Sequence, residues 1–275
     1  MVSSFRSRRI VGMFGAVVFA AASIAAQSPS SQEEVFVPQV GQAGKDVVWV
    51  PTPPELVETM LNLAKVTSQD FVMDLGSGDG RNVIAAAKRG ARAIGVEFNP
   101  KMVELSRRNA AQAGVSDKAT FIEGDMYEAD ISKASVMALF LLPSNMLQLR
   151  PKFLDLRPGS RIVSNTFGID GWTPDETVTI ENGCSAWCTA LLWIVPAKVG
   201  GTWRIGAGEL VLDQQFQIVK GTLDGNPIAD GKLRGDQIRF TVGSVEYTGR
   251  VTGNRIEGTV RGGGPATMWS AVRTS

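Results

Sequence analysis

Residues 74–81, Asp-Leu-Gly-Ser-Gly-Asp-Gly-Arg, are the stretch that decides the fold. They overlap the end of an apolar run, Phe71–Leu75, that predicts a buried strand, and they lead into a helix predicted over residues 82–89. Glycine permits positive φ and lets a ligand approach the backbone, and the first turn of a helix offers free N–H groups. The stretch therefore predicts a ligand site. Dinucleotide enzymes use a related loop, so the loop alone leaves the ligand open.

Strands and helices alternate on both sides of this loop. The sequence predicts strands at 71–75, 93–98, 119–122, 135–142, 161–167, 177–180 and 190–195. Helices are predicted from Thr52, which caps the first one while Glu55 completes a capping box, and at 82–89, 99–114 and 145–154. Apolar strands alternating with helices indicate an α/β fold, a doubly wound and mostly parallel seven-stranded sheet with an antiparallel hairpin at its edge. The ligand site of such a sheet lies where the strands end, beside the first strand.

The composition changes after Gly200. Residues 199–275 hold 15 of the 30 glycines, and alternating segments at 209–219, 238–242, 246–251 and 255–260 are separated by turn signals. This pattern predicts a small antiparallel β domain, a meander or a barrel. The predicted organisation is a signal peptide at 1–26, a linker or arm at 27–46, an α/β domain at 47–198 and a glycine-rich β domain at 199–275.

The first residues have the order of a secretory signal peptide. Arg6, Arg8 and Arg9 precede an uncharged run over 10–26 that ends in small residues, with cleavage expected after Ala25 or Ala26. An uncleaved membrane anchor is the alternative. We therefore expect an exported protein of the cell envelope, periplasmic or membrane-anchored, or a cytoplasmic protein if this segment is not a functional signal. The arm would then separate the folded part from a nearby membrane.

Composition excludes several kinds of site. The sequence has no histidine, which excludes a Ser-His-Asp triad, a histidine base and a histidine-ligated metal. Without the three N-terminal arginines the chain has 25 basic and 27 acidic residues, so no attraction to nucleic acid is predicted. Cys184 and Cys188 form either a local disulfide or two free thiols, and no metal site is predicted.

Three carboxylates are expected at the ends of consecutive strands. Glu97, at the end of the second strand, is placed to accept hydrogen bonds from ribose hydroxyls. Asp125, with Met126, follows the third strand and is placed for the exocyclic amine and the ring of adenine. Asp74 is available to a cationic amino group. This acidic set fits an adenosine with an amino-acid tail better than a pyrophosphate, which favours basic partners.

These residues resemble the class I S-adenosylmethionine-dependent methyltransferases over about 47–197. Residues 74–80 match the first motif of that family, Glu97 its ribose acid and Asp125 its acid near adenine. The resemblance implies a Rossmann-like methyltransferase fold with S-adenosyl-L-methionine as cofactor. It implies cofactor contacts from Asp74, Gly76, Ser77, Gly78, Gly80, Glu97, Asp125 and Met126.

A narrower resemblance rests on Val50-Pro51-Thr52-Pro53, on 141–144, Leu-Leu-Pro-Ser, and on 161–164, Arg-Ile-Val-Ser. These segments look like protein-lysine N-methyltransferases, a group that includes archaeal broad-specificity enzymes and mitochondrial enzymes acting on the ATP synthase c-ring protein and the adenine nucleotide translocase. The resemblance implies a methyl acceptor that is a protein lysine. On the acceptor side we expect Pro143, Ser144 and Thr52, with Trp49 as part of a lid.

Two other functions stay open at this point. One is a small-molecule O- or N-methyltransferase. The other is an exported binding or scaffold protein with an inactive methyltransferase domain. A lysine acceptor must lose a proton before it attacks, and water or a carboxylate can take that proton, so the absence of histidine is compatible with N-methylation.

Overall fold

The computed structural model describes residues 1–4, 7, 12, 36–181 and 184–274. The predicted signal peptide and the first part of the predicted arm lie almost wholly outside the described residues, so both stay predictions. No helix in the described part of the chain is long and apolar enough to cross a membrane. The described residues from Phe36 onward form one compact unit.

Seven strands and four helices make up the first part of this unit, counted over the described residues. The helices are α1 Pro54–Leu63, α2 Arg81–Lys88, α3 Pro100–Gln112 and α4 Pro143–Leu154. The strands are β1 Phe71–Leu75, β2 Arg92–Glu97, β3 Ala119–Glu123, β4 Val136–Leu139, β5 Arg161–Asn165, β6 Glu176–Thr179 and β7 Thr189–Ile194.

The seven strands form one sheet in the order β3-β2-β1-β4-β5-β7-β6. Strands β1 to β5 run parallel to one another, while β7 is antiparallel to both β5 and β6. The predicted doubly wound α/β fold with an antiparallel hairpin at its edge is therefore confirmed. The strand order reverses between β1 and β4, and a ligand cleft is expected where these strands end.

Apolar side chains cover both faces of the sheet. On one face α1 and α2 bury Leu56, Met60 and Val83. On the other, α4 buries Met146 and Phe153. All four residues of β4 are buried, as expected for a central parallel strand. Burying one such large side chain stabilises the fold by about 1.5–3 kcal/mol, so these two layers hold the strand ends in place.

The start of α1 differs from the prediction. Pro53 is the N-cap residue, Pro54 is the first helical residue and no side chain caps the helix, so the capping box of Thr52 and Glu55 is wrong. Consecutive prolines fix φ near the helical value, and Pro54 has no N–H that needs an acceptor. The Thr52 hydroxyl is therefore free for another partner.

The second part of the unit is an antiparallel barrel. Its strands are β8 Gly201–Ile205, β9 Gly208–Gln215, β10 Ile218–Leu223, β11 Asn226–Pro227, β12 Ala229–Arg234, β13 Gln237–Val242, β14 Val245–Thr252, β15 Arg255–Arg261 and β16 Thr267–Arg273. The barrel closes because β9 pairs with both β8 and β10, and β8 pairs with β16. Its interior contains Trp203, Phe240 and Ile256, all essentially without solvent exposure.

The predicted antiparallel β domain is confirmed, but one of its predicted strands is wrong. The segment predicted as one strand over 209–219 is two strands, β9 and β10, separated by a turn at Phe216 and Gln217. Phe216 turns away from the barrel and stacks on Trp172 with ring centroids 5.5 Å apart. Gln217 Nε2 donates to Thr173 O at 2.7 Å. These contacts join the barrel to the α/β sheet, and a domain boundary at 198/199 stays a prediction.

Candidate active site

The glycine loop between β1 and α2 turns sharply and is tied to β2. Gly76, Gly78 and Gly80 all have positive φ, at 68°, 56° and 84°. The N–H groups of Gly76 and Ser77 donate to Val96 O at 2.8 and 3.1 Å. A Cβ atom on Gly78 would lie 2.7 Å from Trp49 Nε1, so the indole leaves no room for a side chain there. The loop is thus covered by the segment that precedes α1.

Glu97 is held by two backbone donors at the end of β2. Its Oε2 accepts from Gly78 N at 2.9 Å, and its Oε1 accepts from Asn99 N at 2.9 Å. A carboxylate oxygen has two lone pairs, so each oxygen keeps acceptor capacity for a ligand. The acid is therefore pre-oriented beside the glycine loop.

Asp74 is a buried carboxyl at the end of β1, only 3% exposed. Burial raises the pKa of Asp74 well above its ordinary value, and the nearby carboxylates of Glu97 and Asp79 raise it further. A hydrogen bond from Asn82 Nδ2, 3.1 Å from Asp74 Oδ2, acts in the opposite direction. A cationic partner stabilises the charged form of such a buried carboxyl, because its charge offsets the loss of hydration on burial.

Residues 42–52 form one wall of the cleft above the loop. The segment folds back on itself, since Gly41 N donates to Trp49 O at 2.8 Å and Trp49 N to Gln42 O at 3.0 Å. Lys45 Nζ lies 2.5 Å from Asp125 Oδ2, and it lies 4.9 Å from the centre of the Phe98 ring. Part of the predicted linker or arm therefore lines the site.

Arg81 joins the glycine loop to the residues before α1. Its Nε and Nη2 donate to the two carboxylate oxygens of Asp79 at 3.0 and 2.5 Å, and its Nη1 donates to Thr52 O at 2.6 Å. Thr52 is buried, and its Oγ1 accepts from Asn165 Nδ2 at 3.3 Å. These bonds hold the start of α2, the end of β5 and Thr52 together at one end of the sheet.

The structure brings most of the predicted site residues together. The cleft is lined by the predicted residues Thr52, Asp74, Gly76, Ser77, Gly78, Glu97 and Met126. Gly80 lies behind the loop as the N-cap of α2, where a Cβ atom would meet the Phe121 ring at 2.7 Å. No group of three or more His, Cys, Asp or Glu side chains within the described residues is arranged to hold a metal.

Besides Gly80, three predicted residues lie outside the lining of the cleft. Asp125 is at its edge, where its Oδ1 accepts from Tyr127 N at 2.8 Å and the hydrogen bond from Lys45 lowers its pKa. Pro143 and Ser144 are exposed in the first turn of α4 and do not line the cleft. Their role on the acceptor side stays a prediction.

Two buried polar atoms in the cleft wall lack a partner. Ser77 Oγ and Asn82 Oδ1 have no hydrogen-bond partner among the residues that the structure describes, and both residues line the cleft. Ser77 Oγ packs against Gly95 of β2, where a Cβ atom would lie 2.5 Å from it. A buried polar atom without a partner costs about 1–3 kcal/mol, so both atoms lower the stability of the cleft wall.

Known proteins share this loop and this fold. The ANTKMT methyltransferase domain family matches residues 74–176. The chain is 43% identical over 140 residues to a protein-lysine N-methyltransferase of Saccharolobus islandicus (strain REY15A), a match that covers 50% of the chain and 87% of that protein. The chain belongs to this methyltransferase family.

Further relatives show how far the likeness extends. The methyltransferase is 39% identical over 130 residues to a mouse lysine N-methyltransferase named for the C-type subunit of ATP synthase, covering 47% of the chain but only 52% of the mouse protein. A crystal structure of an RNA methyltransferase from Salinibacter ruber with S-adenosyl-L-homocysteine is 46% identical, with a TM-score of 0.51. That match covers 55% of the chain and 96% of the Salinibacter chain. The family match covers residues 74–176 and does not include the barrel, which begins at Gly201.

The cleft of this methyltransferase fits S-adenosyl-L-methionine, the cofactor of the family. When bound, the cofactor supplies a methyl group on a positively charged sulfur. Asp74, a buried carboxyl in the cleft lining, would receive the N–H groups of its amino-acid tail. Glu97 keeps acceptor capacity for the ribose hydroxyls, and Met126 gives an apolar surface for adenine. The acceptor positions of Asp74 and Glu97 match the ammonium and hydroxyl donors that this cofactor carries.

Several residues of the site were missed by the sequence analysis. Asn82 was interpreted only as the start of a helix, and Arg81 was quoted as the last residue of the loop stretch without a role in the site. Phe140, at the end of β4, lines the cleft. Residues 42–46 are polar and small, and no sequence signal places them above the glycine loop. Only Trp49, an aromatic residue before Val50-Pro51-Thr52-Pro53, indicated that this segment covers a site.

Proposed function

We propose that this protein transfers methyl groups from S-adenosyl-L-methionine to lysine side chains of other proteins. The observation that carries the proposal is the 43% identity to the archaeal protein-lysine N-methyltransferase, which extends over 87% of that protein. The mouse adenine nucleotide translocase lysine N-methyltransferase is also 36% identical over 134 residues. The cleft supports the same chemistry, because its pre-oriented acids suit the cofactor.

The transfer is a substitution at carbon. The nitrogen of an unprotonated lysine forms a bond to the methyl carbon while the carbon–sulfur bond breaks, and the sulfur leaves as a neutral thioether. Before this attack, the lysine ammonium group loses a proton to water or to a carboxylate. The protein contributes by position and by excluding water: the glycine loop and Glu97 orient one reactant, and Trp49 with residues 42–46 covers the cleft.

RNA is the competing acceptor, because the 46% identical Salinibacter protein is described as an RNA methyltransferase. Proteins that bind nucleic acid carry clustered basic charge that neutralises phosphates. This chain has 25 basic and 27 acidic residues once Arg6, Arg8 and Arg9 are set aside. The charge balance favours a protein acceptor.

Transfer of a labelled methyl group separates these acceptors. The purified protein is incubated with methyl-labelled cofactor and a lysate that lacks the enzyme, and aliquots are then treated with protease or ribonuclease. We expect label that protease releases and ribonuclease does not, located on lysine by mass spectrometry. Label released by ribonuclease, or confined to small molecules, would overturn the lysine proposal.

A matched pair of variants controls this experiment. Glu97 and Glu123 are register partners at the ends of neighbouring strands, but only Glu97 lines the cleft, whereas Glu123 is exposed. Glu97→Gln should lose transfer and Glu123→Gln should keep it. Loss in both variants would show that the effect is not specific to the site.

We also propose that the protein is exported. The proposal is supported by the basic, apolar and small-residue order of 1–26 and by the disulfide between Cys184 and Cys188, the state that the structure has. Disulfides persist in oxidising compartments and are rare in the cytosol. Cell fractionation with a C-terminal tag should find a shortened chain in the envelope fraction. Full-length protein confined to the cytoplasm would overturn this proposal.

A further inference from the structure

Three aromatic side chains form a cluster at the ends of β4, β5 and the loop before β7. In this aromatic cluster the ring centroids of Phe140 and Phe167 lie 6.0 Å apart, those of Phe140 and Trp187 6.1 Å, and those of Phe167 and Trp187 5.1 Å. Such spacings are typical of contacting aromatic rings. The cluster is therefore one continuous apolar surface.

The aromatic cluster leads from the cleft to the outside of the protein. Phe140 lines the cofactor cleft and is half-buried, as is Phe167. Trp187 is 42% exposed. A contiguous exposed apolar surface, unlike a single exposed apolar residue, can mark a binding site. The three rings thus form a continuous apolar surface from the lining of the cleft to the exposed side chain of Trp187.

The backbone holds this cluster in an uncommon conformation. Thr166, directly before Phe167, has φ +56°, and Trp187 has φ +59°. Positive φ is strained for a β-branched or bulky residue, and such strain concentrates at functional sites. Thr166 N donates to Thr189 O at 2.7 Å, and the Cys184–Cys188 disulfide closes the loop that carries Trp187. These constraints keep the indole against the two phenylalanine rings.

A buried amide lies beside the inner end of the cluster. Leu139 and Ser164 are register partners on β4 and β5, so Phe140 and Asn165 follow them at adjacent positions. Asn165 is fully buried, and its Nδ2 donates to Thr52 Oγ1. Its Oδ1 has no hydrogen-bond partner within residues 36–181 and 184–274. Asn165 does not line the cleft, but its Oδ1 is an unpaired acceptor at the position next to Phe140, which does.

We propose that the aromatic cluster is the subsite for the acceptor, and that it receives the aliphatic stem of the lysine side chain. Four methylene groups would lie along Phe140, Phe167 and Trp187, and the amine would reach the cleft where Asn165 Oδ1 accepts one of its N–H groups. A lysine side chain matches this surface, because the surface is apolar along the three rings and ends beside the unpaired Asn165 Oδ1. The proposal rests on the lysine function proposed above.

The test uses the full protein and a peptide around the lysine found in the labelling experiment. Trp187→Ala should raise the KM for this peptide about five- to tenfold, the usual scale of one lost aromatic contact, with kcat nearly unchanged. Trp187→Phe keeps an aromatic face and should restore most of the affinity. Val178→Ala, an exposed apolar residue on β6, is the control and should change neither constant.

A second probe separates binding of the stem from methyl transfer. A peptide with norleucine in place of lysine has the stem but no amine, so it should inhibit competitively. Its inhibition constant should rise in Trp187→Ala by the same factor as the KM. Calorimetric affinity for the cofactor should be equal in all variants, which also shows that they are folded.

The outcomes distinguish the two proposals. An active wild-type enzyme whose KM is unchanged in Trp187→Ala overturns the subsite and leaves the lysine function intact. A wild-type protein that binds the cofactor but methylates no lysine overturns both. Reducing the disulfide should raise the KM in the wild type and have no further effect in Trp187→Ala. An equal rise in both would show that the loop acts elsewhere.

Discussion

Lys45 donates a hydrogen bond to Asp125 across the opening of the cofactor cleft, with 2.5 Å between Nζ and Oδ2. The two residues are 80 positions apart in the chain, and the contact joins the segment before α1 to the end of β3. Each partner stabilises the charged form of the other, which raises the pKa of Lys45 and lowers that of Asp125. The acid expected near adenine thus also holds the cover of the cleft in place.

Removing this contact should speed cofactor exchange. Because both side chains are partly exposed, the pair contributes little to stability, and Lys45→Met should leave the melting temperature unchanged. We expect the dissociation rate of S-adenosyl-L-homocysteine to rise about two- to fivefold by stopped-flow fluorescence. Lys118→Met removes an exposed lysine beside Asp117 and is the control. An unchanged rate in Lys45→Met would show that the contact does not hold the segment.

Glu97 should dominate recognition of the ribose. Glu97→Gln replaces one acceptor oxygen by a donor that faces the N–H of either Gly78 or Asn99. We expect a loss of about 1.5–3 kcal/mol in cofactor binding, or roughly 10- to 150-fold in Kd, by calorimetry. Glu123→Gln should bind like the wild type. Equal affinity of the Glu97 variant and the wild type would remove Glu97 from the site.

The buried acid Asp74 should make the unliganded protein pH-sensitive. Its folded pKa is raised, so the folded state binds the proton more tightly than the unfolded chain. The free energy of unfolding should therefore fall as pH rises from about 4 through the raised folded pKa, and the loss is complete above it. Thermal melts without cofactor across this window measure the slope.

Asp74→Asn should make the unliganded protein more stable and weaken its response to the cofactor. The variant lacks a buried charge, so without cofactor above the window it should melt roughly 2–4 °C higher than the wild type. It should also lose most of the thermal stabilisation that the cofactor gives. Asp117→Asn, on an exposed residue, is the control. A variant that melts lower and still responds fully to the cofactor would contradict this role.

Gly78 should be required for steric reasons beyond its positive φ. Gly243 has nearly the same φ, 57° against 56°, but open space where a Cβ would lie. Gly243→Ala should cost only the roughly 1 kcal/mol of an alanine at positive φ. Gly78→Ala should in addition displace Trp49 and weaken cofactor binding at least tenfold. The double variant Gly78→Ala with Trp49→Ala should recover part of that loss, and no recovery would show that the indole does not set the limit.

Much of the α/β part could be predicted from local patterns. The run Phe71–Leu75 is buried and apolar, and the glycines after it are needed at positive φ, so both features appear in the sequence itself. The same holds for the strand ends that carry Glu97 and Asp125. The capping box failed because Pro53 and Pro54 begin the helix without a side-chain cap. A local motif could not show that Thr52 would instead accept from Asn165, 113 residues away.

The barrel shows where local patterns stop being informative. Strand β12 contains a glycine, and Leu233 is its only large apolar residue, so no apolar alternation marks it and it was not predicted. Its pairing with β13 includes a register shift between Ala229 and Lys232. The break at Phe216 depends on Trp172, which belongs to the other part of the unit. Closure of a barrel is set by pairing between distant strands, and a periodicity within one strand does not contain that information.

The amino-acid sequence by itself determined the glycine loop, the acids at the strand ends, the class of cofactor and the absence of any imidazole chemistry. These features depend on residue type and on spacing within one strand-loop-helix unit. Tertiary structure alone decided that residues 42–46 cover the cleft, that Lys45 meets Asp125, and that three aromatic rings from separate segments form one surface. Such contacts join residues far apart in the chain, and they form only when the packing of the whole sheet brings the strand ends to one edge.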